Sequence, residues 1–385
     1  MEPKKNLSQL AALLLAAASL LFTLFVALPN AAGVNAYLQN AVSALNAAPA
    51  EEGLKNLNAS GAPTEPTTAK TGSAVPPLEM TADPETAAPA ESAAPAQTDK
   101  PWQTPADILA AQTAYLEKYK NAAPSGTVTE RFFVNDGATD VVGNVAVRNC
   151  TDQRPDFAAL LDGGAPLEKA DLSQPLVLIF HTHTTEGYLP AFTGDFYKDY
   201  VTRSTDPAQS VVRVGDAICE ALEAQGIGVI HDTKIYDEAY DGAYARSRGG
   251  VQAYLEQYPS IQITLDIHRD AVWASDTAAI KPTAEIDGRK AAQVMIITGV
   301  EEGPVTVFPH WRENLRFALA LQKSAQNLHE GLMKPVYFCR RRYNMDLTPC
   351  SLLLEFGSDT NTLEEAVYAG ALLGEALAGL IHANA

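Results

Sequence analysis

Cysteine is scarce in this chain, and its four residues are scattered: Cys150, Cys219, Cys339 and Cys350. No two of them form a CxxC pair, so the sequence supports neither a thiolate zinc site nor a dense disulfide framework. A single disulfide between two of the four stays open at this point. The fold is therefore not expected to be held together by cross-links.

Positive charge is also in short supply, since 28 lysine and arginine residues stand against 46 aspartate and glutamate residues. The formal net charge of -18 argues against a nucleic-acid partner, because nothing here would neutralise a phosphate backbone. With 385 residues, 46% of them hydrophobic, the chain can bury a real core. It has room for one domain of about 200–250 residues and substantial sequence outside that domain.

Charge is absent between residues 10 and 29, an apolar run that follows Lys4 and Lys5. About 20 residues in a helix span roughly 30 Å, the thickness of a hydrocarbon core. The run is either an uncleaved anchor or a cleaved signal peptide, and its length favours the anchor. Both readings leave the lysines in the cytoplasm and send the rest of the chain across the membrane. We therefore expect a cytoplasmic segment at 1–9 and a transmembrane anchor or uncleaved signal at 10–30.

Aromatic residues are missing between positions 49 and 101, where Ala, Pro, Thr, Ser and Glu dominate. Such a segment cannot bury enough apolar surface to offset the entropy lost on ordering. The composition predicts a flexible, acidic linker over 31–101 that tethers the following domain.

Order is expected to resume in a lead-in at 102–150. Thr104 and Pro105 are typical of a helix start, with threonine as the N-cap and proline at the first helical position. The β-rich stretches 128–134 and 141–147 predict a hairpin.

Residues 151–385 carry an alternation of strand and helix patterns. The apolar run at 176–180 is typical of a strand buried on both faces of a parallel sheet. The other predicted strands are 228–231, 261–267, 293–298, 335–339 and 351–355, and the predicted helices are 211–226, 243–258, 311–328 and 363–381. This alternation predicts an α/β domain, a wound and mostly parallel sheet with flanking helices.

The chemistry-bearing residues collect where three of these strands end. The first strand is followed by His181, His183 and Glu186, a later one ends at His268, and the last ends at Glu355. Sites in wound α/β sheets form beyond the carboxyl ends of the strands. Imidazoles with one carboxylate make a three-ligand zinc set that leaves a position for water, and a second carboxylate can accept the proton of that water.

Each signal has an ordinary alternative when it is taken alone. A histidine after a strand is more often a hydrogen-bonded loop residue, and Glu355 could be a strand-end carboxylate turned to solvent. His231, His310, His329 and His382 do not share these positions or lack neighbouring ligand types. The coincidence of the strand-end groups, rather than any one of them, favours a metal hydrolase.

The residues also resemble the stage II sporulation protein P family of endospore-forming bacteria. The matching blocks are HTHTTEGY at 181–188, YVTRSTD at 200–206, VVRVGD at 211–216, GVIHD at 228–232, YARS at 244–247, DIHRDA at 266–271, HWRENL at 310–315, YNMDL at 343–347 and EFG at 355–357. The resemblance runs over 140–383. The stretch 235–238 departs from it, because a histidine is expected before Asp237 and Tyr236 stands there.

The resemblance implies a zinc-dependent peptidoglycan hydrolase that cuts the amide between N-acetylmuramic acid and L-alanine, with peptide cross-link cleavage also attributed to the family. It implies a role in engulfment, with a single-pass protein whose catalytic domain lies between the forespore and mother-cell membranes. It also implies stage II sporulation proteins D and M as partners, beside peptidoglycan itself and the membrane.

The same resemblance implies the site roles. His183, Glu186 and His268 would hold Zn²⁺, His181 is an uncertain fourth candidate, and Glu355 would be the catalytic base. Arg269 would either hold the developing oxyanion or form a structural ion pair with Asp266 or Asp270, while Asp266 would orient a ligand. Two alternatives stay open: a non-catalytic wall-binding scaffold, and another zinc hydrolase such as a carboxypeptidase or deacetylase.

Overall fold

The computed structural model describes residues 103–384 of the chain. The predicted cytoplasmic segment, the predicted anchor and the predicted linker therefore lie outside the described residues. Among the residues that are described, no helix is both long enough and apolar enough to cross a membrane.

The described residues form thirteen strands and six α-helices. The strands are β1 (Gly126–Arg131), β2 (Asp140–Val142), β3 (Val145–Asn149), β4 (Pro175–Phe180), β5 (Asp195–Phe196), β6 (Gly228–His231), β7 (Ile263–Asp270), β8 (Trp273–Ser275), β9 (Ala278–Ile286), β10 (Arg289–Ala292), β11 (Val294–Gly299), β12 (Val336–Cys339) and β13 (Cys350–Ser358). The helices are α1 (Ala106–Tyr119), α2 (Phe157–Asp162), α3 (Val212–Ala224), α4 (Ala243–Gln257), α5 (Trp311–Leu328) and α6 (Leu363–His382).

Eight strands form the large sheet, in the order β2-β3-β12-β11-β13-β7-β4-β6. Its neighbouring pairs are parallel except for β2–β3 and β11–β13, which are antiparallel. The α/β class predicted from the sequence is confirmed, and the sheet is mixed rather than purely parallel. Because β4, β6, β7 and β13 run in one direction, their carboxyl ends meet at one edge.

Helices cover the sheet closely, and α3 packs directly on α6 at two glycines. A Cβ on Gly370 would lie 2.9 Å from the carbonyl oxygen of Val214, and one on Gly374 would lie 2.6 Å from Cβ of Ala221. Only glycine lets the two backbones approach this closely. This contact fixes α3, the helix that follows the loop after β4.

A second sheet of five strands has the order β10-β9-β1-β5, with β8 paired to β9. The hairpin predicted from 128–134 and 141–147 is wrong, because the two stretches do not pair with each other. β1 pairs in parallel with β9, while β2 and β3 form their own hairpin across a turn at Gly143, whose φ is +60°. The turn at Gly143 divides the second β-rich stretch into β2 and β3. The first stretch forms β1, which pairs with β9 instead of with the second stretch.

The predicted N-cap of the first helix is also wrong. α1 begins at Ala106 with Pro105 as the N-cap residue and with no side-chain cap. The Thr104 hydroxyl instead donates a hydrogen bond to the Glu364 carboxylate at the start of α6. The Thr104 side chain, predicted to cap α1, thus bonds to a residue far along the chain.

One fully buried lysine joins the five-stranded sheet to α6. Nζ of Lys281, on β9, lies 2.8 Å from Oε1 of Glu130 on β1 and 2.7 Å from Oε1 of Glu365 on α6. It also lies 3.7 Å from the centroid of the Phe192 ring. Glu365 closes a capping box with Thr362, so the same carboxylate anchors the helix start and the lysine.

Replacing Lys281 with alanine should lower the free energy of unfolding by about 3–5 kcal/mol, because it leaves a buried carboxylate without its counter-charge. Lys290→Ala is the matched control, since Nζ of Lys290 lies 2.6 Å from the same Glu130 but its side chain is 49% exposed. The control should cost about 1 kcal/mol or less. Guanidinium denaturation of both variants measures the difference, and equal losses would contradict this account of Lys281.

Candidate active site

Three strand ends bring the predicted residues together at one edge of the large sheet. β4 ends at Phe180, and a turn over 181–185 carries the chain to Glu186. In the neighbouring strands, Phe180 is in register with Asp266 on β7, and His268 on β7 is in register with Glu355 on β13. Register partners on adjacent strands project to the same face, so His268 and Glu355 share one face.

His183, Glu186 and His268 lie in contact and are all buried. The rings of the two histidines have centroids 5.4 Å apart and are nearly perpendicular. Oε2 of Glu186 lies 3.4 Å from Nδ1 of His268 and accepts a hydrogen bond of 3.2 Å from the backbone N–H of Arg269. Two imidazoles and a carboxylate therefore stand side by side, two from the segment after β4 and one from β7.

Asp266 lies beside His183, Glu186 and His268 and contacts the elements that carry them. Its carboxylate accepts hydrogen bonds from the backbone N–H of Thr182 at 2.8 Å and from the Thr182 hydroxyl at 2.6 Å. Oδ1 also lies 2.8 Å from Nε2 of His268, although the two atoms are not aligned as a hydrogen bond. Asp266 thus ties the turn after β4 to β7, as expected of a group that orients a ligand.

His181 does not join the other candidates. Its Nδ1 is 3.2 Å from the carbonyl oxygen of Ile267, and its Nε2 is 2.8 Å from Nε2 of His231. His231 in turn has Nδ1 3.1 Å from Oδ1 of Asp216 on α3. A Cβ on Gly215 would lie 2.5 Å from the His231 ring, so glycine makes room for this pair. Both ring nitrogens of His181 contact groups other than His183. The sequence did not predict that His231 would have His181 as a neighbour.

Arg269 holds main-chain carbonyls. Nε donates to the carbonyl oxygen of Gly187 at 3.1 Å, and Nη2 donates to that of Thr202 at 3.0 Å. Nη1 is 3.4 Å from the backbone oxygen, not the carboxylate, of Asp270. Neither the side-chain ion pair nor a guanidinium open to a substrate oxyanion describes this geometry. Arg269 braces the segments on either side of the site.

Sequence reasoning missed the groups that cover His183. Asp237 is fully buried and accepts hydrogen bonds from the Thr185 hydroxyl at 2.7 Å and from Nη1 of Arg203 at 3.0 Å. Nη2 of Arg203 lies 3.8 Å from Oε1 of Glu186. The ring of Tyr240 stacks on His183 with centroids 4.6 Å apart. The motif at 200–206 was the only signal for Arg203, and nothing local marked Tyr240.

Burial and neighbouring charge act against each other in this site. Burial alone would lower the pKa of His268, but the carboxylates of Asp266 and Glu186 raise that pKa well above its usual range. Burial would raise the pKa of Glu186, yet His268 and Arg269 hold it below its ordinary value. Burial lowers the pKa of His183 to about 4, which keeps that imidazole neutral and able to act as a ligand.

Glu355 is the one carboxylate of the group with a buried oxygen that accepts no hydrogen bond from the described residues. It is half-buried, and its Oε2 makes no hydrogen bond to any of the described residues. Burial, with a smaller effect from the nearby Asp270, raises the pKa of Glu355 to about 8. Such a carboxyl is poised to take up and release a proton near neutral pH.

The residues can be tested against the zinc that the family resemblance implies. Their donor types fit, because zinc takes imidazole nitrogen and carboxylate oxygen, and Nδ1 of His183 is a buried polar atom with no hydrogen-bond partner in residues 103–384. Across those same residues, however, no three histidine, cysteine or acidic side chains are gathered as a metal requires. Binding zinc would therefore require the His183, Glu186 and His268 side chains to turn toward a common point.

The fold and site define an α/β protein with a histidine and carboxylate cluster at the carboxyl edge of its sheet. Residues 51–378 match the family model "Stage II sporulation protein P (SpoIIP)", and the chain belongs to this family. Stage II sporulation protein P of Bacillus subtilis (strain 168) is 34% identical over 212 residues. That match covers 52% of this chain and 49% of the relative, about half of its length.

Solved structures show weaker similarity. N-acetylmuramoyl-L-alanine amidase AmiC2 of Nostoc punctiforme matches with a TM-score of 0.30 and 14% identity, over 56% of this chain and 98% of that one. The CwlD amidase from Clostridioides difficile, solved in complex with the GerS lipoprotein, matches with a TM-score of 0.33 and 12% identity, over 54% and 98% of the two chains. Scores this low do not by themselves establish a common fold.

The raised pKa of Glu355 predicts how the chelator-treated protein responds to pH. A carboxyl whose pKa rises on folding, here from 4.5 to about 8, contributes stability that is fully present below pH 4.5 and is lost as pH rises toward 8. The free energy of unfolding should therefore fall across that range in the wild type. Glu355→Gln should remove this part of the fall, because the amide does not titrate.

Urea denaturation of both proteins at several pH values, after treatment with EDTA, measures the effect. Asp276→Asn is the control, because Asp276 lies in an exposed turn after β8. The control should follow the wild-type pH profile. A Glu355→Gln profile parallel to the wild type would show that the folded protein leaves the pKa of Glu355 near its ordinary value.

Proposed function

We propose that this protein is a zinc-dependent peptidoglycan hydrolase that cleaves the amide between N-acetylmuramic acid and L-alanine during sporulation. The observation that carries the proposal is the juxtaposition of Glu355 with His183, Glu186 and His268 at one sheet edge. This set offers both a ligand group and a separate carboxylate of raised pKa. Membership of the stage II sporulation protein P family supports the choice of substrate.

In the proposed site, His183, Glu186 and His268 would hold the zinc. A zinc ion supplies Lewis-acid chemistry, making water more acidic and polarising the scissile carbonyl. Asp266 fixes the ring of His268 and the turn that carries His183, while Asp237 holds Thr185 and Arg203 beside them. These contacts hold the backbone segments that carry the ligand side chains, and the side chains would turn toward the ion.

Glu355 carries the proton transfers. Its free Oε2 takes a proton from the water that attacks the lactoyl carbonyl, and returns that proton to the amine of the departing L-alanine. A bound zinc would favour the ionised form of Glu355, which accepts the proton, and the protonated form can then act as the acid. Arg269 has a structural role in this proposal, because its Nε and Nη2 donate hydrogen bonds to backbone carbonyls.

Digestion of purified sacculi tests the proposal directly. The zinc-loaded protein should release material with new L-alanine amino termini, detected by mass analysis of the products. Glu355→Gln should fold and keep its zinc but lose about 10²–10⁴-fold in turnover, since the amide cannot accept the proton. Freed cross-links without new L-alanine termini would make the protein an endopeptidase, and sacculus binding without any product would make it a wall-binding scaffold.

Two histidine variants serve as matched controls for the ligand assignment. His183→Gln should lose zinc and turnover together, because it removes a ligand nitrogen. His181→Gln should keep its zinc, since both nitrogens of His181 bond to groups outside the cluster. Metal stoichiometry of the folded variants decides between them, and a zinc-free His181→Gln would overturn the set as we assign it.

We further propose that the domain acts on the far side of a membrane to which residues 10–30 anchor it. The support is the uncharged run behind Lys4 and Lys5, whose length suits a spanning helix. Stage II sporulation proteins D and M are proposed partners on the strength of the family alone.

Protease added to intact protoplasts should degrade the domain, leaving only the N-terminal part of the chain protected. A cytoplasmic marker protein in the same sample is the control for membrane integrity. Full protection of residues 103–384 in intact protoplasts, with cleavage after detergent, would contradict this topology.

A further inference from the structure

Two of the four cysteines stand at the ends of two paired strands, because Cys150 directly follows β3 and Cys339 is the last residue of β12. β3 and β12 run parallel, with Val147 opposite Val336 and Asn149 opposite Phe338. The backbone N–H of Cys150 donates to the carbonyl oxygen of Phe338 at 2.8 Å, a bond that belongs to the Asn149–Phe338 pair and keeps the two chains adjacent at this point. The next residue in both chains is a cysteine, so Cys150 and Cys339 directly follow the last register pair.

The alternation of side chains predicts that both cysteines lie on the same side of the sheet. Two residues earlier, Arg148 and Tyr337 are register partners, and the guanidinium of Arg148 lies 5.4 Å from the centroid of the Tyr337 ring. Side chains in a strand alternate with a period of two, so Cys150 and Cys339 occupy the face on which Arg148 and Tyr337 meet.

The spacing of adjacent strands suits a disulfide bond. Neighbouring strands lie about 4.7–4.9 Å apart, and disulfides join Cα atoms separated by about 4.4–6.8 Å. All four cysteines are free thiols in this structure. Cys219 lies within α3 and Cys350 at the start of β13, so neither has a cysteine as its register partner.

We propose that Cys150 and Cys339 are a modification site, a reversible disulfide that fastens the edge hairpin β2–β3 to β12. The hairpin is the outermost part of the large sheet on this side, and β12 is the only neighbour of β3 toward the sheet centre. The bond would join residues far apart in the sequence, and closing a long loop restricts the unfolded chain.

The oxidant is a second disulfide, such as oxidised glutathione. The Cys150 thiol, which is half-buried rather than buried, loses its proton to solvent and attacks this disulfide, releasing one glutathione thiol and leaving a mixed disulfide. The Cys339 thiol then loses its proton and attacks the Cys150 sulfur, releasing the second glutathione thiol. Burial raises the pKa of Cys339 to about 12, so this second step should be slow and should speed up with rising pH.

The test uses the full-length protein in detergent, reduced and then incubated with oxidised glutathione. Free thiols are alkylated after unfolding, and the protein is digested without reductant. A peptide pair linked through Cys150 and Cys339 is expected, with Cys219 and Cys350 alkylated. The oxidised protein should melt about 5–10 °C above the reduced protein.

Cys150→Ser and Cys219→Ser are the matched variants. Cys150→Ser should abolish both the linked peptide and the rise in melting temperature, whereas Cys219→Ser should keep both. The comparison of oxidised with reduced wild type stands even where a variant folds poorly. Glutathione retained on Cys150 without a link to Cys339, or four alkylated thiols after oxidation, would overturn the proposal.

Discussion

The parallel pairing of β7 with β4 on one side and β13 on the other is the constraint on which the site depends. β7 is in register with β4 up to Asp266 and with β13 through His268, so one central strand sets the positions of both neighbours. A slip by one residue would turn His268 and Glu355 to the opposite face. Such a slip would also remove Ile263, Leu265 and Ile267, which are fully buried, from the packing on the opposite face of β7. Core packing therefore holds the register that brings His268 and Glu355 together.

Charge burial is tolerated here because each charge has a nearby opposite or a donor. Asp266 is held by Thr182, and Glu186 by His268 and the backbone of Arg269. An uncompensated charge at such depth would cost several kcal/mol. At Glu355, burial outweighs the nearby positive charges of His268 and Lys334, and the pKa is raised as a result. The site thus separates its carboxylates by environment, one kept ionised and one able to exchange a proton.

Much of the domain follows from sequence pattern, because buried strands and long amphipathic helices are locally encoded. β4, β6, α4 and α5 begin and end within a residue or so of their predicted bounds. The five-stranded sheet was not foreseen. β1 finds its partner in β9, far along the chain, and β5 has only two residues. The Thr104 hydroxyl likewise bonds to Glu364 and does not cap α1 as predicted. Long-range pairing, which no local pattern contains, decided each of these.

The same limit explains the site. An HxH motif places both rings on one side only if the backbone stays extended, and β4 has already ended at Phe180. The turn that follows sends His181 toward His231 and Asp216, and His183 toward Glu186 and Asp237. Residue types and strand ends could therefore predict the candidate ligands, but could not decide which of the two histidines lies beside Glu186 and His268. That sorting depends on a tight turn and on the space left by Gly215, which only the assembled fold defines.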